Sequence, residues 1–84
     1  MWIRSQDKEA LTNGDIIYYC DKYGMIRCGK LGISDDYDLV LAKYSTKEKA
    51  LKVLDEIQKI INGAFMYDYQ LGGVFQMPQD DEVE

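Results

Sequence analysis

The chain has 84 residues, 15 of them acidic and 10 basic, which gives a formal net charge of −5. This length suits one small domain, and a 46% hydrophobic content is that of a globular chain rather than a disordered one. The acidic balance disfavours binding to duplex nucleic acid. The chain contains no histidine, which excludes a histidine-based catalytic triad, a histidine-ligated metal site and an imidazole proton shuttle.

The first 44 residues have the composition of β-strands separated by turns. Asn13-Gly14 is a turn dipeptide typical of β-hairpins, and residues 21–24 supply a second turn. Turns at such short intervals favour an antiparallel meander. The predicted strands cover residues 2–5, 9–12, 15–20, 25–31 and 37–44.

A helix is predicted over residues 46–62. Ser45 followed by Glu48 matches a capping box, and Gly63 stands where a left-handed C-terminal cap is expected. The apolar residues between these signals recur at helical spacing. They are Ala50, Leu51, Val53, Leu54, Ile57, Ile60 and Ile61.

Apolar and polar residues alternate again after the helix, over residues 64–71. One face of this segment would carry Phe65, Tyr67, Tyr69 and Leu71, which we predict to form an interface. A last strand is predicted over residues 74–77, ending at Pro78, and residues 79–84 are expected to form a solvated acidic tail. The predicted architecture is therefore a single α+β domain over residues 1–78. It consists of an antiparallel sheet of about five strands with one helix on one face.

Several familiar chemical motifs are absent or incomplete. Residues 29–32 lack the spacing of a phosphate-binding loop, and residues 35–38 lack the later glycine and glutamate of a calcium loop. Two cysteines, Cys20 and Cys28, cannot form a zinc site alone. A disulfide between them across a hairpin is geometrically conceivable, but we expect two reduced structural thiols. No metal or cofactor is predicted.

The candidate binding residues are arginines and tyrosines. Arg4 is followed by Ser5 and Gln6, so a guanidinium, a hydroxyl and an amide lie within three residues; a salt bridge at a strand end is the simpler reading of Arg4. Arg27 is the only other arginine. Tyr18 and Tyr19 must point to opposite faces of a strand, and an exposed tyrosine ring can stack on a base. We take Arg4, Ser5, Gln6, Tyr19 and Arg27 as the candidate ligand site.

Three stretches resemble a known group of proteins. They are Met-Trp-Ile-Arg-Ser-Gln-Asp-Lys at residues 1–8, the helix entry at residues 42–58, and Val-Phe-Gln-Met-Pro at residues 74–78. The chain is similar there to a set of short uncharacterised proteins of Gram-positive bacteria and their phages or prophages. The resemblance implies a phage or mobile-element accessory protein, and it carries over no activity and no site residues.

Three functions suit these residues, and all are non-enzymatic. The first is sequestration of a nucleotide immune signal in an oligomeric pocket. The second is an acidic inhibitor that docks on a basic surface of a host nucleic-acid-handling or defence protein through Asp35, Asp36, Asp38 and the tail. The third is a structural or assembly subunit. Because one helix can cover only one face of a sheet, a homo-oligomer is expected. The N-terminus has no signal-peptide pattern, which predicts a cytoplasmic protein without membrane contact.

Overall fold

The computed structural model describes residues 2–22, 24–62 and 73–84, which form six strands, one α-helix and two 3₁₀ turns. The strands are β1 (Trp2–Arg4), β2 (Leu11–Thr12), β3 (Ile16–Cys20), β4 (Met25–Gly29), β5 (Leu39–Lys43) and β6 (Val74–Gln76). The helix α1 is Lys47–Ile61, and the 3₁₀ turns are Asp35–Tyr37 and Asp80–Glu82.

The strands belong to two sheets, whereas the sequence predicted one meander of about five strands. The first sheet has the order β2-β1-β6, with β1 antiparallel to β2 and parallel to β6. The second sheet has the order β3-β4-β5 and is antiparallel throughout. The α+β class is confirmed, and the single meander is wrong because β6, the last strand in the chain, pairs with β1, the first.

The Asn13-Gly14 dipeptide connects the two sheets and does not form the predicted hairpin. β2 precedes it in the first sheet and β3 follows it in the second. Gly14 lies against Cys28 of β4, so closely that a Cβ atom at position 14 would be 1.9 Å from the Cys28 Sγ atom. Glycine is therefore required here for a close approach between two segments and not for a tight turn.

The predicted hairpin between β3 and β4 is confirmed. Cys20 pairs with Met25, and Gly24 has a φ angle of +62°, which favours glycine in the connecting turn. The next pairing contains a bulge: Ile26 pairs with Ala42, but Arg27 pairs with Val40. Leu41 is therefore the extra residue in β5, and its side chain is 1% exposed.

The helix begins one residue later than predicted, and its cap is Thr46 instead of Ser45. The Thr46 side chain accepts a hydrogen bond from the backbone N–H of Lys49, 3.2 Å away. The buried stripe is narrower than the apolar pattern, since Leu51 and Ile61 are exposed. The buried helix residues are Ala50, Val53, Ile57 and Ile60.

The helix and both sheets share one hydrophobic core. Ile3 and Phe75 reach it from the first sheet, and Ile26 and Leu41 from the second. The buried stripe of α1 packs into the same cluster, together with Met77, which is fully buried. Each three-stranded sheet therefore gains its stability from a core that neither could build alone.

Gln6, the second residue after β1, joins the two sheets. The Gln6 backbone N–H donates to the carbonyl of Leu41 at 2.7 Å. The Gln6 side-chain amide then donates to the carbonyl of Lys43 and accepts from the Lys43 N–H, both at 3.0 Å. The same amide donates to the carbonyl of Pro78 at 3.2 Å. Ser5 is buried, and its hydroxyl donates to Asp7 while accepting from the N–H of Ala10.

The acidic C-terminal residues dock against the domain, whereas the sequence predicted a solvated tail. The Asp80 carboxylate accepts the backbone N–H of Ser45 at 2.7 Å and lies 3.4 Å from Lys49 Nζ. The Tyr44 hydroxyl donates to the carbonyl of Pro78 at 2.8 Å, and burial raises the pKa of Tyr44, so this donor stays protonated. Val83 packs against the core.

Two predictions concern residues that lie outside the described ones. These are the strand over residues 64–71, with the interface residues Phe65, Tyr67, Tyr69 and Leu71, and the helix cap at Gly63.

Replacing Gln6 by glutamate tests the junction between the sheets. The shape is kept, but a carboxylate cannot donate to the carbonyls of Lys43 and Pro78, so we expect the free energy of unfolding at neutral pH to fall by about 2 kcal/mol. Urea denaturation followed by circular dichroism measures this. The difference in unfolding free energy between Gln6→Glu and the wild type should decrease near pH 4, where the protonated glutamic acid can donate a hydrogen bond again. Gln58→Glu, on the exposed side of α1, is the control, and an equal loss there would contradict the role of Gln6.

The Asp80 contact predicts a dependence of stability on pH. Hydrogen bonding from the Ser45 N–H lowers the pKa of Asp80 below its ordinary value of 3.8. A lowered pKa in the folded state means that ionised Asp80 stabilises the fold above about pH 4, and that this contribution disappears as the pH falls through the folded-state pKa. The difference in unfolding free energy between the wild type and Asp80→Asn should therefore shrink in acid. The adjacent Asp81→Asn should show no such trend, and a matching trend would overturn the assignment.

Candidate functional site

The outer face of the first sheet carries an exposed aromatic and apolar surface. Trp2, Leu11 and Val74 are 47%, 49% and 44% exposed. Trp2 pairs with Val74 across β1 and β6, while Arg4 pairs with Leu11 on one side and Gln76 on the other. Paired residues share a face, and Ile3 and Phe75 point the other way into the core. We call the surface formed by Trp2, Arg4, Leu11, Val74 and Gln76 the Trp2 face.

Arg4 is the charged residue of the Trp2 face. Its guanidinium donates to the backbone carbonyl of Lys8 at 3.3 Å, and it forms no ion pair with any carboxylate of the described residues. The nearby Asp7 is held elsewhere, by the Ser5 hydroxyl and the N–H of Glu9, and the Ser5 hydrogen bond is the main reason that the pKa of Asp7 is lowered. Arg4 therefore keeps positive charge and free donors for an anion.

Trp2 and Arg4 lie on the same face of β1. They are two residues apart in the same strand, which sets their backbones roughly 6.8 Å apart on one face. An indole ring can stack on a planar group, and a guanidinium can grip a phosphate or carboxylate with two donors. A ligand that joins a planar group to an anionic group would match both side chains.

Arg27 does not have this freedom. Its Nη2 atom donates to the carbonyls of Asp35 at 3.0 Å and Asp38 at 3.4 Å, and its Nε atom is buried with no partner within the described part of the chain. These bonds hold the 3₁₀ turn against the second sheet. Arg27 therefore holds the turn in place, with Nη2 bonded to backbone carbonyls and Nε buried.

A tyrosine and a carboxylate complete the cluster around Arg27. The Tyr18 hydroxyl donates to the Asp38 carboxylate at 2.6 Å, and this hydrogen bond raises the pKa of Tyr18. The carboxylate lies over Gly29, where a Cβ atom would be 2.7 Å from it. Asp38 is consequently engaged within the fold, and of the three loop aspartates only Asp35 and Asp36 present exposed carboxylates.

Tyr19 points away from this cluster. It pairs with the fully buried Ile26 and packs against the core, while its neighbour Tyr18 pairs with Arg27. The prediction that Tyr18 and Tyr19 face opposite sides is thereby confirmed. Lys47 Nζ lies 5.6 Å from the centre of the Tyr19 ring, a cation–π arrangement. Tyr19 and Arg27 are on opposite faces and cannot line one pocket.

The five predicted ligand residues thus occupy separate places. Ser5 is buried and bonded within the connection from β1 to β2, and Gln6 joins the two sheets. Tyr19 faces the core, and Arg27 holds a turn. Arg4 alone remains on an open surface. The sequence reasoning missed Trp2, although a signal was present: the chain's only tryptophan alternates with Arg4 in a strand.

Two concavities are less suitable for an anionic ligand. A groove of about 420 Å³ between β3 and α1 has the volume of a small-ligand site, but among the described residues that line it the charged one is the acidic Asp15. A second cavity of about 160 Å³ adjoins Cys28, Lys30 and Tyr37 and is smaller than most ligand pockets.

The described residues contain neither a metal-binding cluster nor a membrane-spanning helix. Within residues 2–22, 24–62 and 73–84, no group of three or more cysteine, aspartate and glutamate side chains could hold a metal ion. In the same ranges, no helix has the length and apolar character needed to cross a membrane.

Comparison of the chain with protein-family models, with curated proteins and with solved structures gave no significant match.

The two cysteines should differ in reactivity. Cys20 is half-buried on the outer side of β3, whereas Cys28 is 4% exposed and covered by Gly14. The register places them three residues apart along the hairpin and on opposite faces, roughly 10 Å apart along the strands, which is too far for a disulfide. In the native protein, Ellman's reagent should modify Cys20 first, and Cys28 only on unfolding. Equal rates at both thiols, compared through Cys20→Ser and Cys28→Ser, would contradict the packing of Cys28.

Proposed function

We propose that this chain is a non-enzymatic binding protein that sequesters a nucleotide on the Trp2 face. The observation that carries the proposal is the pairing of an exposed tryptophan with an arginine that has no described carboxylate partner, on a sheet face that α1 does not cover. Stacking on an aromatic ring contributes about 1–3 kcal/mol per base, and a guanidinium adds a bidentate contact to phosphate.

Sequestration would be more effective if a second copy of the chain covered the Trp2 face of the first copy. A flat face covers only one side of a base, and solvent would keep access to the other side. Leu11 and Val74 surround Trp2 with apolar area whose burial is favourable, so two Trp2 faces brought together would enclose the ligand between them. We therefore propose a homo-oligomer in which two copies build the pocket.

The setting follows from the resemblance of three segments to short phage and prophage proteins. We propose an accessory protein that acts in the bacterial cytoplasm and removes a nucleotide signal of host defence. Binding suffices for this role and requires no catalytic group.

Fluorescence of Trp2 provides a direct test, because no other tryptophan contributes to the signal. Titration with a panel of linear and cyclic mono- and dinucleotides should quench the emission for at least one member, and native mass spectrometry should show the same complex. Trp2→Ala and Arg4→Ala should each weaken binding about tenfold or more, while Trp2→Phe should retain part of the stacking. The affinity should also fall with salt, and less steeply in Arg4→Ala.

Matched controls separate the site from general effects. Tyr37→Ala removes an aromatic ring that lies outside the Trp2 face and is 81% exposed. Lys59→Ala removes one positive charge from the exposed side of α1. Neither should change the affinity. No bound nucleotide across the panel, or equal affinity in Trp2→Ala and Arg4→Ala with the fold intact, would refute the site.

Light scattering after size exclusion tests the two-copy pocket. The wild type should have a mass of at least twice 9.7 kDa, and Val74→Glu on the Trp2 face should shift it toward the monomer. A wild type that stays monomeric with the nucleotide bound would show that the pocket needs only one copy.

A further inference from the structure

The loop before β5 exposes apolar side chains more fully than the Trp2 face does. Tyr37 is 81% exposed, Leu31 is 75% exposed and Ile33 is 55% exposed, all within seven consecutive residues. Burial of apolar side chains of this size against a partner is favourable, so the loop can contribute to binding. We call residues 30–38 the docking loop.

The backbone of the docking loop is fixed by the rest of the domain. The N–H of Leu31 donates to the Asp15 carboxylate at 3.3 Å, and Ser34 caps the 3₁₀ turn by accepting from the N–H of Asp36 at 3.4 Å. Arg27 and Tyr18 hold the far end of the loop, as described above. A loop held at both ends loses little conformational entropy on binding, which favours affinity.

The charges of the docking loop are mainly acidic, with Asp35, Asp36 and Asp38 against Lys30. Asp35 and Asp36 are exposed next to Tyr37, and neither forms an ion pair among the described residues. The chain as a whole carries −5. An acidic partner or an anionic lipid surface would be repelled, whereas lysine or arginine around an apolar pocket would complement both the carboxylates and the apolar side chains.

We propose that the docking loop is a binding surface for a protein partner whose apolar pocket has a basic rim. Tyr37 and Leu31 fill the pocket, and Asp35 and Asp36 contact the rim. This surface is independent of the Trp2 face, so the proposal stands or falls separately from nucleotide binding.

A synthetic amphipathic helix, with leucine on one face and lysine on the other, serves as the probe for such a partner. Titrated into the full-length ¹⁵N-labelled chain, it should shift amide resonances of residues 30–38 and leave those of β1 and β6 unchanged. Leu31→Ser and Tyr37→Ser should each weaken binding about tenfold. Ile61→Ser, at a side chain that is 56% exposed on α1, should not.

Charge is tested with a matched pair of double variants. Asp35→Asn with Asp36→Asn should weaken binding and flatten its salt dependence, whereas Asp55→Asn with Glu56→Gln, on the exposed side of α1, should do neither. A leucine–glutamate helix should not bind.

Four outcomes would overturn the proposal. They are equal binding of the leucine–glutamate helix, shifts confined to the Trp2 face, Leu31-dependent binding to phosphatidylcholine vesicles in place of the peptide, and an oligomer that Leu31→Ser dissociates. The third would identify a membrane as the occupant of the loop, and the fourth a second copy of the chain.

Discussion

The side chain of Gln6 reproduces the hydrogen bonds that a neighbouring strand would make to β5. Its amide oxygen accepts from the Lys43 N–H, and its amide nitrogen donates to the Lys43 carbonyl, so the edge of the second sheet is satisfied by a residue that follows the first. The bulge at Leu41 provides the third contact, because its carbonyl accepts from the Gln6 backbone. Pro78 binds the same amide. One residue thereby fixes both sheets and the C-terminal segment, and the shared core depends on that arrangement.

This junction also decides which surfaces are left open. The inner faces of both sheets meet α1 in one core, so α1 does not cover the opposite face of the first sheet. That face presents Trp2 and Arg4 beside each other. In the second sheet, Arg27 and Asp38 use their polar groups to hold the docking loop, and the apolar side chains of the loop consequently point to solvent. The two proposed binding surfaces are thus exposed because the helix and the inner sheet faces pack against each other in the core.

Elements that depend on neighbouring residues could be predicted. The predictions of the helix α1 and of the turn before Met25 were correct, because a helix face and a hairpin are determined by residues close in sequence. The prediction for Asn13-Gly14 was wrong because its local pattern suits a hairpin, whereas the dipeptide connects two sheets and Gly14 lies close to Cys28. The prediction that Ser45 caps the helix was wrong for a similar reason. The Ser45 N–H donates to Asp80, 35 residues away, and the side chain of Thr46 caps the helix. The predicted ligand residues do not form one site, because the alternation of side chains along β3 and β4 puts Tyr19 and Arg27 on opposite faces.

The sequence alone established an acidic α+β domain without histidine, with one helix in its correct place and an aromatic surplus that one helix cannot cover. These properties follow from composition and from local periodicity. Tertiary structure decided that β6 pairs with β1, that Ser5 and Gln6 serve the fold, and that Trp2 joins Arg4 on an open face. Each of these depends on contacts between residues far apart in the chain, such as Gln6 with Pro78, whose pairing no local pattern encodes.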